Sequence, residues 1–405
     1  MADVAKGLAR TGYEVVVYTS ERGYENPSLR YTRREFIPVG DGHGVDVRRI
    51  PFASLGKSNL PIRVLAAASF QLQVLWHQLT TPRLAGIFFS TSPPLVGVTA
   101  CVARIVRGIP IAYWAMDLNP DQLIAMGKTK ETSLVARFLE AANRFVLRRS
   151  SLIIALDRFM RDRLVTRGDF ADKTLLLPPW PHEEAIEDVE ESKNPFRERH
   201  GLVGKYVVMY SGNHSPANPL ATLLQAAVAF KDDDRVRFVF VGGGLGKQEV
   251  EACIREHDLK NMLSLPYQPL ADLRYSLSAA DVHVVSMGHE MVGIIHPCKI
   301  YGAMAVGRPV LYLGPIPSHV SDILEAHRFG WQVAHGDVQE MRRRIEAILA
   351  TPKAELRRLG QEARSVLSAS YSQDLLLGRM VHRLEQTFGP AAASAGPSPK
   401  SGIAT

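Results

Sequence analysis

The sequence is poor in cysteine and has no long apolar run. Its 405 residues include three cysteines, Cys101, Cys253 and Cys298, with no CxxC pair and no metal-ligand spacing between them. So sparse a count excludes a disulfide framework and suits a reducing compartment. No uninterrupted run of about 20 apolar residues occurs, so no membrane-spanning helix is expected. The opening MADVAKGLARTG has no apolar core long enough for a signal peptide. HExxH, the P-loop lysine motif, GxSxG and paired metal-binding acids are all missing, so nothing argues for a bound metal. The glycines at 242–244 do not form GxGxxG in its proper setting, and no dinucleotide site is expected. Cys298 stands beside Lys299 at a helix start, which favours a thiolate. No general base is evident next to it, so a nucleophilic role is not expected.

What is present is an ordinary globular composition with a formal charge of +7. Such a charge favours anionic partners, nucleotides or phospholipid among them. A nucleic-acid partner would rest on charge alone and is not expected.

Along the chain, helical and strand patterns alternate. Residues 2–10 read as a helix, 13–19 as a strand, 21–44 as a long loop and 45–50 as a strand. No strand precedes the first helix. Either the start is placed late or the strand is missing, since a strand and a Gly-rich turn usually come first in a doubly wound sheet. Residues 61–79 form a very apolar helix beside a basic stretch with Arg48, Arg49, Lys57 and Arg63. It reads as a packed helix or as an interfacial membrane contact. Strands at 85–90, 110–115 and 151–156 follow, with helices at 94–107, 132–149 and 158–167, and the hydroxyls of Thr91 and Ser92 are placed to cap the helix from 94. The alternation predicts a parallel α/β sheet whose ligands bind beyond the strands' carboxyl ends. That rim holds Ser90–Ser92, Asp157–Arg158 and Asp117, the candidate acid.

Proline and acidic residues over 178–204 mark a linker, and a second α/β series begins at Tyr206. The expected divisions are 1–182, a linker 183–204, 205–370, a helix 371–388 that returns to the first domain, and a disordered tail 389–405. The second series turns on 292–314, VGIIHPCKIYGAMAVGRPVLYLG. A loop through His296 and Pro297 feeds a helix from Lys299, Gly307 stops it, and a strand follows. A helix N-terminus with a lysine suits an anion such as a diphosphate. His296 could donate a proton to the same leaving group.

Seven stretches then carry a family resemblance: YWAMDLNPD at 113–121, NPFRERHGL at 194–202, VVMYSGNHS at 207–215, FVGGG at 240–244, LPYQPLADL at 265–273, SAADVHVVS at 278–286 and HPCKIYGAMAVGRPVLYLGP at 296–315. In this order the chain resembles the family-4 (group 1) retaining glycosyltransferases of the GT-B fold, in the branch that builds exopolysaccharide, O-antigen and colanic acid. The resemblance implies two Rossmann-like domains facing a cleft, with the first strand of the N-terminal domain absent. It implies metal-free, retaining transfer from a nucleotide sugar, UDP- or GDP-linked, which is a substrate and no cofactor. The acceptor would be a lipid-linked or other saccharide at the cytoplasmic membrane surface, so the protein would be cytoplasmic or peripheral at the inner membrane face.

Residue by residue, Lys299 resembles the family's diphosphate-binding base. Ser211, Gly212, Asn213 and His214 resemble the first donor loop, Gly243 and Gly244 the backbone near the nucleotide, and Tyr267 and Gln268 the segment beside the base. Pro297 belongs to the corner, and Asp117 resembles the acid facing the reacting sugar. The family's paired-glutamate positions are Ile294 and Gly302 here, and Met116 stands where a histidine commonly precedes the loop acid. These departures leave two other readings open, a non-catalytic binding module of the same fold and a nucleotide-sugar epimerase.

Overall fold

The computed structural model describes residues 1–22, 30–51, 60–181 and 188–391. Residue 182 of the expected first domain, residues 183–187 of the expected linker, most of the expected tail (392–405) and Lys57 of the basic stretch lie outside these, as does the Arg63 side chain.

The N-terminal half opens on α1 (Ala2–Arg10), with Val4 and Leu8 buried. β1 (Val15–Ser20), β2 (Arg34–Gly40) and β3 (His43–Ile50) form a sheet in the order β1-β3-β2. The strand β2 corrects the expected loop over 21–44. It pairs antiparallel with β3 through the turn Asp41-Gly42, whose φ angles are 51° and 76°. Asp-Gly is the residue pair that a two-residue hairpin turn of this hand requires. Composition hid the strand because it is an edge strand, carries Pro38 and leaves Phe36 exposed.

Next come α2 (Leu60–Thr80), β4 (Ile87–Ser90), α3 (Val96–Arg107), β5 (Ile111–Trp114), α4 (Asp121–Ala125), α5 (Leu134–Arg149), β6 (Leu152–Ala155), α6 (Arg158–Val165) and β7 (Thr174–Leu176). The four strands are parallel, in the order β4-β5-β6-β7. β5 and β6 are buried along their whole length, as expected for a parallel sheet covered on both faces. β1 and β4 are edge strands of separate sheets and do not pair with each other.

The C-terminal half starts with α7 (Pro195–Arg199), capped by the Asn194 side chain, which accepts from the Phe196 amide. The buried guanidinium of Arg197 bonds Glu191 and Asp281, fixing the chain's entry to this half. Then follow β8 (Tyr206–Ser211), α8 (Ala221–Val228), β9 (Val236–Val241), α9 (Lys247–His257), β10 (Met262–Leu265), α10 (Leu273–Ser278), β11 (Val282–Ser286), α11 (Lys299–Ala305), β12 (Val310–Leu313), α12 (His319–His327), β13 (Gly330–Val333), α13 (Val338–Ala350) and α14 (Lys353–Val366). All six strands are parallel, in the order β10-β9-β8-β11-β12-β13. The winding reverses between β8 and β11. Loops leaving those two strands diverge and open a crevice beyond their carboxyl ends. The last helix, α15 (Gln373–Phe388), packs on α1 and adds Leu376, Met380 and Leu384 to the N-terminal core.

Candidate active site

A hollow of about 280 Å³ lies at that reversal. Asn213 and Ser215 line it from the loop after β8, Ser286 from the end of β11, and His296, Pro297 and Lys299 from the corner before α11. Asp117 and Gln122 close it from the N-terminal half, so it is an interdomain site. A larger hollow, about 410 Å³, lies among α4, α5 and α6. There Arg167 is paired with both Asp121 and Glu140, and Arg144 with Glu140. The smaller hollow is the one that Lys299 and Asp117, from opposite halves, both line.

Lys299 starts α11, and among the described residues its ammonium has no carboxylate partner. The Nζ sits 5.0 Å from the centroid of the Tyr210 ring. Burial pushes the ammonium down to about 8, against the pull of the neighbouring Cys298. A half-buried cation without a counter-ion, facing a cavity, is poised for an anion. Room for it comes from Gly212, at φ 134°, where a Cβ would lie 2.4 Å from Lys299 Cε. The loop is locked to its neighbour. The Gly212 amide donates to Val241 O at 2.9 Å and the His214 amide to Gly243 O at 2.7 Å, while a Cβ on Gly244 would lie 2.3 Å from Asn213 Oδ1. The 211–215 and 242–244 segments are therefore one backbone surface.

Asp117 follows β5. Its carboxylate has no hydrogen-bond partner among the described residues, and burial pushes it above the usual range. The hydroxyl of Thr91 accepts from the amides of Met116 (3.0 Å) and Asp117 (3.3 Å). This corrects the capping expected of Thr91 and Ser92. The helix begins later, at Val96, behind Leu95 with φ 66°, and no side chain caps it. Thr91 holds the acid's loop instead. Leu118 N donates to Ile294 O at 3.0 Å, pinning that loop to the other half.

His296 differs from its expected role. Its Nδ1 lies 2.8 Å from Asp157 Oδ2 across the halves, and its Nε2 lies 2.9 Å from the Tyr301 hydroxyl, which is also 2.9 Å from His319 Nε2. Burial alone would raise the Asp157 carboxyl, but the hydrogen bond from His296, the neighbouring imidazoles and the Met160 amide outweigh it and hold the carboxyl below its ordinary value. Burial pushes His319 down to about 3, so it is neutral at physiological pH. One wiring that satisfies every atom runs from His319 N–H to the Tyr301 oxygen, from Tyr301 O–H to His296 Nε2 and from His296 N–H to Asp157. With both ring nitrogens engaged, His296 is not free to protonate a leaving group. It joins the two halves behind Lys299. Ligand atoms of Asp157, His296 and His319 lie within 4.8 Å of one another, a grouping that could hold a metal and that sequence spacing does not reveal.

The other expected residues fall around the hollow. Tyr267, 59% exposed, stands over Gly243, where a Cβ would lie 3.0 Å from its ring. The side chain of Gln268 bonds back to Pro266 O. The ring of His214 is buried edge-on to Tyr210, and burial lowers its pKa against the opposing pull of the Gly243 and Gly212 backbone. Ser211 ends β8 beneath the site. Sequence reading missed Gln122, Ser215 and Ser286 as lining residues: Ser286 ends a strand it had located, Ser215 lies in the turn after β8, and Gln122 lies in α4, a short helix it had not located.

Residues 1–180 match the family model described as "Glycosyl transferase 4-like domain", and residues 192–366 match "Glycosyl transferases group 1". The chain belongs to the group 1 glycosyltransferases. This glycosyltransferase is 25% identical over 335 residues to "Probable glycosyltransferase WbjE" of Pseudomonas aeruginosa, covering 82% of each chain. Its fold is the GT-B fold of two Rossmann-like domains. The structure of Anabaena HepE in complex with UDP-glucose superposes with a TM-score of 0.65 at 17% identity, covering 84% of this chain and 86% of that one. The structure of WaaG, a glycosyltransferase involved in lipopolysaccharide biosynthesis, gives 0.65 at 15% identity, with 96% and 94% covered. At the family's paired-glutamate positions, Ile294 is buried in the interdomain core and Gly302 lies within α11.

Proposed function

We propose that this glycosyltransferase moves a sugar, with retention and without a metal, from a UDP- or GDP-sugar to a lipid-linked or other saccharide acceptor in cell-surface polysaccharide synthesis. The observation that carries the reading is Lys299, an unpaired cation at the strand-order reversal, with Asp117 of the opposite half facing the same hollow. The donor's diphosphate lies against Lys299, the α11 start and the 211–215 backbone. The acceptor hydroxyl oxygen bonds to the sugar's anomeric carbon from the face that the diphosphate leaves, as that carbon's bond to the diphosphate oxygen breaks; the nucleoside diphosphate leaves with the electron pair, and the hydroxyl's proton passes to the departing diphosphate oxygen. Fixed positive charge at that oxygen stabilises the departing anion most as the bond breaks. Asp117 faces the sugar, where a carboxylate stabilises developing positive charge. The base lies toward Tyr267 and Gln268, beside Gly243 and Gly244. With Gly302 in place of a carboxylate, ribose is held by backbone, water or another side chain.

The acceptor and the setting at the inner membrane face are supported by the family resemblance alone. None of the described helices is long and apolar enough to cross a membrane. Incubation of the full chain with UDP-, GDP- and dTDP-sugars tests the reading. Donor hydrolysis or a saturable complex with one of them is expected, and neither with any would contradict it.

A further inference from the structure

Three side chains that the proposed transfer does not use meet where the two halves touch. Asp157 caps α6 in the N-terminal half. His296 belongs to the loop before α11, and His319 opens α12, both in the C-terminal half. One ligand atom from each lies within 4.8 Å of the other two. The side chains of Asp157 and His296 are 3% and 1% exposed. His319 is half-buried, so the cluster is not sealed from solvent. Two imidazoles and a carboxylate are a donor set for zinc. Nitrogen donors favour zinc over magnesium or calcium, which take oxygen.

The spacing is close to what the ion needs. Around a tetrahedral zinc with bonds of about 2.0–2.1 Å, the donor atoms stand about 3.3 Å apart. Asp157 Oδ2 and His296 Nδ1, at 2.8 Å, are already near that separation. The third donor has to close by about 1.5 Å at most, within reach of a side-chain rotation. The frame around the cluster is held without an ion. Arg158, next to Asp157, bonds Asp322 of α12 at 2.6 and 2.9 Å, three residues past His319. Arg163 of α6 donates to Val292 O at 2.7 Å and Leu118 N to Ile294 O at 3.0 Å, both on the loop that leads to His296. A ligating histidine also needs a partner for its other ring nitrogen, which sets the tautomer. The Tyr301 oxygen, 2.9 Å from His296 Nε2, is that partner.

We propose that Asp157, His296 and His319 bind a single zinc ion between the two halves. On binding, the His296 proton moves from Nδ1 to Nε2, where the Tyr301 oxygen accepts it. Nδ1 and Asp157 Oδ2 then turn from hydrogen-bond partners into ligands, and no proton is lost. A nitrogen of His319 is the third ligand and water the fourth. The buried carboxylate offsets part of the ion's charge. The ion takes no part in the sugar transfer. It clasps the loop that carries Lys299 to the N-terminal half, so metal binding and the joining of the halves favour each other.

The test is titration of zinc into the full chain, first stripped with a chelator, without donor or acceptor. Calorimetry should show saturable binding of one zinc per chain and none of magnesium. Zinc should raise the melting temperature. Cobalt, used as a visible probe of the same site, should give the absorption of a four-coordinate ion without a thiolate band. His319→Gln is expected to weaken zinc binding at least about tenfold and to lose the melting shift. Asp157→Asn, which keeps a capping side chain on α6, should do the same and serves if His319→Gln does not fold. Cys298→Ser should bind zinc as wild type does. With no donor present, failure here leaves the donor-site reading standing. Absence of saturable zinc binding, equal binding by the His319 and Asp157 variants, or a thiolate band lost in Cys298→Ser would each overturn the proposal.

Discussion

His296 Nδ1 and Asp157 Oδ2 lie 2.8 Å apart, and the two side chains come from different halves of the chain. Asp157 also caps α6, accepting from the Met160 amide at 2.8 Å. One carboxylate thus starts a helix and ties the halves together behind the candidate donor site. Asp157→Ala is expected to lower unfolding free energy by about 2–4 kcal/mol, the sum of a lost cap and a lost charge-assisted bond. Chemical denaturation measures it. A second interdomain ion pair among the described residues, Arg158 with Asp322, is largely solvent-exposed, so Asp322→Ala should change little. The acid limb should change as well. The folded pKa of Asp157 is lowered, so its stabilisation is complete above the unfolded carboxylate value and is lost as pH falls through the folded one. The variant should therefore lose less stability on acidification than wild type.

Gly212→Ala tests the space beneath Lys299. The new Cβ would lie 2.4 Å from Lys299 Cε, and φ 134° disfavours any side chain. Because the lysine end can swing away, the chain should still fold, less stable by about 1–3 kcal/mol. The displaced ammonium should weaken UDP binding on the order of tenfold, a loss of about 1.4 kcal/mol. Unchanged UDP affinity would place the diphosphate elsewhere.

The pH dependence of donor binding follows from the same lysine. In the free protein its pKa is lowered to about 8, below the ordinary lysine value. A bound diphosphate favours the charged form and raises that pKa, so affinity is greatest below the free value and declines as pH rises through it. Calorimetric titration of UDP on either side of pH 8 should show this decline in wild type. Lys299→Arg, charged throughout, should lose the decline even if its absolute affinity falls.

Thr91→Val removes the hydroxyl that holds the Met116 and Asp117 amides. Donor affinity should be retained while turnover drops by about tenfold or more, because the acid's loop loses its anchor without a change at Lys299. A fall in UDP affinity equal to the fall in turnover would count against separate roles for the two loops.

Much of this was legible in the sequence. The alternation of apolar runs with amphipathic helices identified both sheets, because parallel strands buried on two faces stand out as runs such as YVVMY and SLIIAL. Gly307 and Pro309 marked the end of α11 and the strand after it. The edge strand β2 was not legible. Its side chains face solvent, and the only sign was Asp41-Gly42. The network of His296 was hidden for another reason. Asp157 lies in the other half and meets His296 only when the halves pack, while Tyr301 and His319 come together through the fold of the C-terminal half itself. Thr91 was read locally, as a cap, because its true partners lie 25 and 26 residues away.

The central claim is that Lys299 seats the donor diphosphate while Asp117 acts on the sugar. Isothermal titration of UDP into wild type, Lys299→Ala and Asp117→Ala tests it most directly. Lys299→Ala should weaken binding by about 10- to 100-fold, the worth of a charge-assisted contact, and Asp117→Ala should weaken it much less. Equal affinity of wild type and Lys299→Ala would contradict the account.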